Sequence, residues 1–196
     1  MLRIPARHEL RQRPITSPRL HLTPVEAGDA SDLWTSIDTS RGHLEPWLPW
    51  VPYQTEPAMT LRFAEACAHD WDGGRALRFV LRARSNRTLL GVVGLESLQH
   101  MHLSCEIGYW LRHDTTGRGY MTEASRALLL WAFRDLGVHR VRVAASTENH
   151  ASLGVIRRLG FRFEGIGRQA ERVAGRWLDH ASFSMLSTDE GARQPG

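Results

Sequence analysis

Apolar residues recur along this chain with two different periods, and the switches between them divide the sequence into elements. Residues 19–23 (RLHLT) alternate like a short strand, and residues 27–38 carry Leu33, Trp34 and Ile37 at helical spacing. Residues 43–53 (HLEPWLPWVPY) break both patterns, since their prolines forbid a regular helix while Trp47, Trp50 and Tyr53 supply rigid apolar surface. This segment reads as the wall of a site. Helical spacing resumes over residues 60–71, and the Gly73-Gly74 pair ends it.

The pattern then turns β-rich. Residues 77–83 and 88–97, joined by a polar Ser85-Asn86 turn, predict an antiparallel hairpin, and residues 105–111 (CEIGYWL) predict the next strand of a meander. Residues 119–136 form the longest helical stretch, with Ala124, Leu128, Trp131, Ala132 and Leu136 on one face and Gly137 as its stop. A strand at 140–145, a helix at 149–159 closed by Gly160, and a last strand pair at 161–169 and 176–186 complete the series. Hairpins followed by strand, helix, strand, helix, strand imply an α+β fold whose sheet is partly parallel. Residues 19–186 are expected to form one domain, between an arginine- and proline-rich arm at 1–18, mobile or loosely docked, and a disordered tail at 187–196.

Composition narrows the function classes. With 42% hydrophobic residues in 196, the chain can bury one full core. Its apolar runs are shorter than a bilayer span, and the arginine-rich start lacks the apolar segment of a secretory signal, so a cytoplasmic protein without a membrane partner is expected. Cys67 and Cys105 stand far apart, and the ten histidines are scattered without metal-ligand spacing, so no metal is expected. The 25 basic residues are all arginine. Absence of lysine excludes a P-loop. The arginines do not cluster with aromatic residues, so no nucleic acid is expected, while a net charge of +4 favours a phosphorylated small molecule.

The candidate chemistry begins where the strand at 105–111 meets the long helix. In RHDTTGRGYMT (112–122), Gly117 and Gly119 allow a sharp turn that points main-chain N–H groups outward at a helix mouth, an anion site to which Arg112 and Arg118 add charge. A dinucleotide fold would place a third glycine at Thr122 and an acid after the next strand, where Ala145-Ser146 stands instead.

The runs EIGYWL, TGRGYMTEA and ENHASLGVIRRLGF, with HLEPWLPW before them and GRQAERVAGRWLDHASFSML after, resemble the GNAT superfamily and, more narrowly, its RimJ/RimL branch of protein N-terminal acetyltransferases. The resemblance covers residues 19–186. It implies a three-layer α+β fold with a mixed sheet of about six or seven strands, antiparallel in its first half and splayed at a partly parallel centre, with helices on both faces. It also implies acetyl-CoA as co-substrate. The family's diphosphate-wrapping motif corresponds to Thr116, Gly117, Arg118, Gly119, Tyr120 and Met121, with Thr122 following; Thr116 replaces the usual Gln or Arg and Met121 a small residue. Trp110 and Leu111 correspond to the strand end that pairs with the pantetheine arm, and Asn149 to the asparagine that hydrogen-bonds it, although Asn149 also stands where a helix N-cap belongs.

Attack on a thioester needs a neutral amine. A terminal α-amine of pKa about 8 is roughly a tenth deprotonated at neutral pH, and a lysine of about 10.4 less than a thousandth, so a carboxylate raised by burial suffices for the former. Glu171, nineteen positions after Ser152, resembles the branch's proposed base, and Ser152 its acid. Glu106, sharing a strand face with Gly108 and Trp110, is the competing base, because other branches carry theirs on this strand. Either glutamate is alternatively one half of a structural ion pair with an arginine. The family's thiolate-protonating tyrosine corresponds to Ile156, which leaves Ser152 to hydrogen-bond the sulfur. Cys105 lies beside Glu106, which raises a thiol pKa, so transfer is expected to be direct. Trp47, Trp50 and Tyr53 are the expected acceptor wall. The expected acceptor is a protein N-terminus, a ribosomal one by the resemblance, and a homodimer is expected likewise. A small amine acceptor, another acyl donor such as succinyl-CoA, and a non-catalytic CoA-sensing or nucleic-acid-binding module remain alternatives.

Overall fold

A computed structural model describes residues 1–192. Its frame is one eight-stranded sheet in the order β1-β2-β3-β4-β5-β6-β8-β7. The strands are β1 (Ile15–Thr16), β2 (Leu20–Pro24), β3 (Leu77–Ala83), β4 (Leu89–Gln99), β5 (Ser104–Leu111), β6 (Arg140–Ser146), β7 (Arg162–Val173) and β8 (Arg176–Leu186). Helices α1 (Arg7–Gln12), α2 (Ala30–Thr39), α3 (Arg41–Leu44), α4 (Pro57–Asp72), α5 (Tyr120–Trp131) and α6 (His150–Leu159) cover it. The two-residue β1 raises the strand number above the six or seven expected.

Strand alternation decides which helices pack where. On one face Cys105 and Ile107 of β5 join Leu81, Val93, Val141 and Phe183 against Ala124, Leu128 and Leu129 of α5 and Leu153 and Ile156 of α6. On the other face Val80, Val92 and Trp110 meet Leu33 and Ile37 of α2 and Ala64 of α4. Burial of such side chains contributes roughly 1.5–3 kcal/mol each before conformational entropy is subtracted.

Every neighbouring pair is antiparallel except β5 and β6, which are parallel and joined through α5. Their pairing covers only Ser104–Glu106 against Arg140–Arg142. Beyond it β5 continues along β4 as far as Leu111, and β6 continues along β8 as far as Ser146, so the two strands part. The gap opens toward α5 and α6.

Both chain ends depart from expectation. Residues 1–18 are docked, because Leu2, Leu10 and Ile15 are buried in the main core, Arg3 N–H donates to the Leu136 carbonyl at 2.9 Å, and Trp71 Nε1 donates to the Pro5 carbonyl at 3.0 Å. Three apolar anchors thus outweigh the polar composition. At the other end Ser187 N–H donates to the His139 carbonyl at 2.8 Å, and a 3-10 turn at Glu190–Ala192 buries Ala192. The part of the expected disordered tail at 193–196 lies outside the described residues.

Candidate active site

The strand gap widens into a cleft of about 1010 Å³, bounded by β5, the mouth of α5, the end of β6, the start of α6, and the Trp47–Trp50 side of the loop after α3. Its floor at the mouth of α5 is set by two glycines. Gly117 and Gly119 have φ of 73° and 76°, a left-handed backbone that β-carbon-bearing residues adopt at a cost. Gly119 is the N-cap of α5, and no side chain caps it, so the first-turn N–H groups and the helix dipole face the cleft. Nothing within 4 Å of a Cβ built on Gly117 fills the space before it. Such a turn is suited to an anion.

A residue at the start of the fold pins this turn. Arg19 donates from Nη1 to the Arg118 carbonyl at 3.0 Å and from Nε to Glu123 Oε2 at 2.6 Å, and its guanidinium stacks 4.4 Å from the Tyr120 ring centroid. The cationic candidates are redistributed. Arg112 is turned onto Asp114 at 2.8 Å and the Leu89 carbonyl at 3.3 Å, and neither Arg112 nor the exposed Arg118 lines the cleft. The cation that lines it is Arg158 of α6, whose Nε donates to Thr122 Oγ1 at 3.3 Å across the mouth of α5. Thr116, Tyr120, Met121 and Thr122 line the cleft as expected, although the Thr116 hydroxyl is committed to the His113 carbonyl at 2.8 Å.

Trp110 and Leu111 lie on the part of β5 that β6 has left, so their backbone borders the gap. Asn149 borders it too, and its side chain caps α6 by accepting from Ser152 N–H at 3.0 Å. The amide nitrogen of Asn149 is left for other contacts.

Glu171, Ser152 and Glu106 all line the same cleft. Glu171 Oε2 lies 3.4 Å from His180 Nε2 of β8, and with 36% of its side chain exposed it lacks the burial expected of it. Glu106 is held by Arg142 at 2.5 Å on β6, so its carboxylate has a guanidinium partner already. Glu106 also faces Glu96 across the β4–β5 ladder, and Arg78 holds Glu96 at 2.6 Å from the other side. Two carboxylates in register would repel, and an arginine on each flank offsets this. Ser152 Oγ lies 2.9 Å from Tyr109 Oη. Burial, and after it the neighbouring Glu106 carboxylate, push the Cys105 thiol up to about 12, so no thiolate is available there. Trp47 and Trp50 line the cleft, and Trp50 lies 6.3 Å from Trp110 between ring centroids. Tyr53 is 74% exposed outside the lining, because the 3-10 turn at Val51–Tyr53 buries Val51 and sends the tyrosine outward.

Three residues at this site escape a reading of the sequence. Arg158 is one more arginine in a helix pattern, Tyr109 is one apolar-face position of a strand, and His180 carries no motif. Alternation does place Tyr109 opposite Trp110, on the α6 face.

Comparison with known proteins adds the deciding observation: a model of the acetyltransferase (GNAT) domain matches residues 19–162. The chain belongs to the GNAT acetyltransferase family. Among curated relatives, the putative ribosomal N-acetyltransferase YdaF of Bacillus subtilis is 30% identical over 84% of this chain and 90% of its own length. The [Ribosomal protein uS5]-alanine N-acetyltransferase of Escherichia coli is 26% identical over 89% of this chain and 91% of its own. Among solved structures, Mycobacterium smegmatis RimJ in complex with CoA-disulfide superposes with a TM-score of 0.82 at 26% identity, covering 88% of this chain and 86% of that one. RimL, a ribosomal L7/L12 α-N-protein acetyltransferase in complex with coenzyme A, shares the fold with a TM-score of 0.83 over 87% of this chain.

As a GNAT enzyme the protein transfers an acetyl group from acetyl-CoA to a primary amine. The uncapped mouth of α5, its left-handed glycines and the gap beside β5 fit this co-substrate. Among the described residues no cluster of three or more His, Cys, Asp or Glu is placed to hold a metal ion, and no helix is long and apolar enough to cross a membrane.

Proposed function

We propose that this enzyme acetylates the α-amine of a protein N-terminus, with a ribosomal protein as the acceptor class. The observation that carries the reading is that Glu171 and Ser152 line one cleft with the uncapped mouth of α5, while Trp47 and Trp50 line its outer side. The named activities of YdaF and the uS5-alanine enzyme support the acceptor class. So does the chemistry of the cleft. Its Glu171 carboxylate, with His180 as neighbour and no arginine partner, touches solvent, a setting that suits an α-amine already partly neutral at pH 7 better than a lysine.

In this mechanism acetyl-CoA supplies the thioester carbonyl as electrophile. First-turn N–H groups of α5 and the Arg158 guanidinium hold the diphosphate, and the freed backbone at Trp110 and Leu111 aligns the pantetheine arm as an added strand would. Glu171, with His180 beside it, takes the proton of the acceptor amine directly or through one water. Ser152 hydrogen-bonds the sulfur as it takes up charge. Transfer is direct, since the buried Cys105 thiol keeps its proton. The Arg142 ion pair leaves Glu106 the weaker choice as base. The same reading places the enzyme in the cytoplasm, and as a homodimer.

The test is free-thiol release from acetyl-CoA and succinyl-CoA across a panel of peptide N-termini, lysine side-chain amines and small amines. Peptide N-termini with acetyl-CoA should give the highest kcat/KM, and Glu171→Gln should lower it about 10²-fold, within the usual range for a lost general base. Undiminished turnover in Glu171→Gln moves the base to Glu106, and a small amine as best acceptor overturns the acceptor class.

A further inference from the structure

Tyr109 is the one phenol in the cleft whose oxygen meets a proposed catalytic group. Strand alternation sends its ring to the α6 face with Cys105 and Ile107, and there its Oη lies 2.9 Å from Ser152 Oγ and 3.4 Å from the Ser152 carbonyl. The main chain of Ser152 is fixed as well, because its N–H donates to Asn149 Oδ1 at 3.0 Å. Ser152 stands in the first turn of α6, with no helical carbonyl four residues before it, and the phenol is the partner of its hydroxyl.

The direction of the hydrogen bond follows from acidity. The distance alone allows either oxygen to donate; the phenol is much the more acidic of the two, so Tyr109 is assigned as donor and Ser152 as acceptor. That leaves the Ser152 O–H proton to swing toward the open side of the cleft.

We infer that Tyr109 is a positioning residue, which by donating to Ser152 Oγ aims the serine O–H at the departing sulfur. The inference rests on the role given to Ser152 above. Tyr109 is not itself the acid. Burial, which outweighs the opposing pull of the Arg158 charge, pushes its phenol up to about 12, so it keeps its proton beside a thiolate.

The test is a double-mutant cycle in the full-length enzyme with acetyl-CoA and the best peptide acceptor, using Tyr109→Phe, Ser152→Ala and the pair. Tyr109→Phe should lower kcat about three- to tenfold, the size expected for one lost hydrogen bond, with the KM for acetyl-CoA changed less than about twofold. The double variant should be no slower than Ser152→Ala alone. With acetyl thioesters of increasingly basic thiols, Tyr109→Phe should steepen the fall of rate with leaving-group basicity, which a packing defect would not do. A slow Ser152→Ala together with an unaffected or fully additive Tyr109→Phe overturns the inference alone. Full activity of Ser152→Ala overturns the role of Ser152, and the inference with it.

Discussion

At the scale of single residues, the site turns on which charges are already spoken for. Of the four arginines near the mouth of α5, Arg19 pins the turn, Arg112 is spent on Asp114, Arg118 is exposed and does not line the cleft, and Arg158 lines it. Arg158→Gln should therefore weaken acetyl-CoA binding about tenfold, the effect of one lost charge-assisted hydrogen bond, whereas Arg118→Gln should change it less than about twofold. Calorimetric titration with coenzyme A checks both. Equal losses would mean that the diphosphate is held by general basic charge rather than by one guanidinium. Sequence was blind to this ranking, since a helical pattern says that Arg158 is near the C-terminal end of its helix but not that it reaches Thr122 on another. The same limit hid Tyr109, whose partner Ser152 lies 43 positions on, while His180 meets Glu171 across the β7–β8 hairpin, where a register shift decides which side chains face each other. By contrast Gly117, Gly119 and Asn149 were legible, because positive φ and helix capping are local requirements.

Among the elements, α5 carries the strongest interdependence, since its first turn also anchors the N-terminal segment. Glu123 accepts from the Ser17 hydroxyl at 2.7 Å and from the Arg19 N–H at 2.8 Å, and pairs with the Arg19 guanidinium. Burial works to raise its carboxyl, but the hydrogen bonds from Ser17 and Arg19 outweigh it and hold Glu123 below the ordinary glutamate range. A folded-state pKa below the unfolded one means stability that is present at neutral pH and lost as pH falls through the folded value. The melting temperature of the wild type should therefore exceed that of Glu123→Gln at pH 7, and the gap should close progressively below about pH 4.3, the usual glutamate value. A gap independent of pH would show that Glu123 acts by packing alone. Sequence assigned residues 1–18 to a mobile or loosely docked arm because their polar composition hides three anchors, Leu2, Leu10 and Ile15, whose burial depends on a core that only the folded sheet provides. The central elements were legible because each holds its periodicity for several turns or pleats, and α4 and α6 end at glycines.

For the whole molecule, the departure of β5 from β6 divides the sheet into an antiparallel five-stranded part and a three-stranded part, joined at Ser104–Glu106. The order of the elements announced a partly parallel centre, while the place where pairing stops depends on tertiary packing and left no local signature. A structure stitched by so few rungs leaves main-chain amides near Ile107–Leu111 and Val143–Ser146 open to water until something occupies the breach. Deuterium uptake at these segments should consequently be fast in the free enzyme and fall about tenfold or more with saturating coenzyme A, while the β3–β4 hairpin stays unchanged. On the proposed mechanism the substrate would then act as a temporary ninth strand, closing the breach between β5 and β6 once in each catalytic cycle.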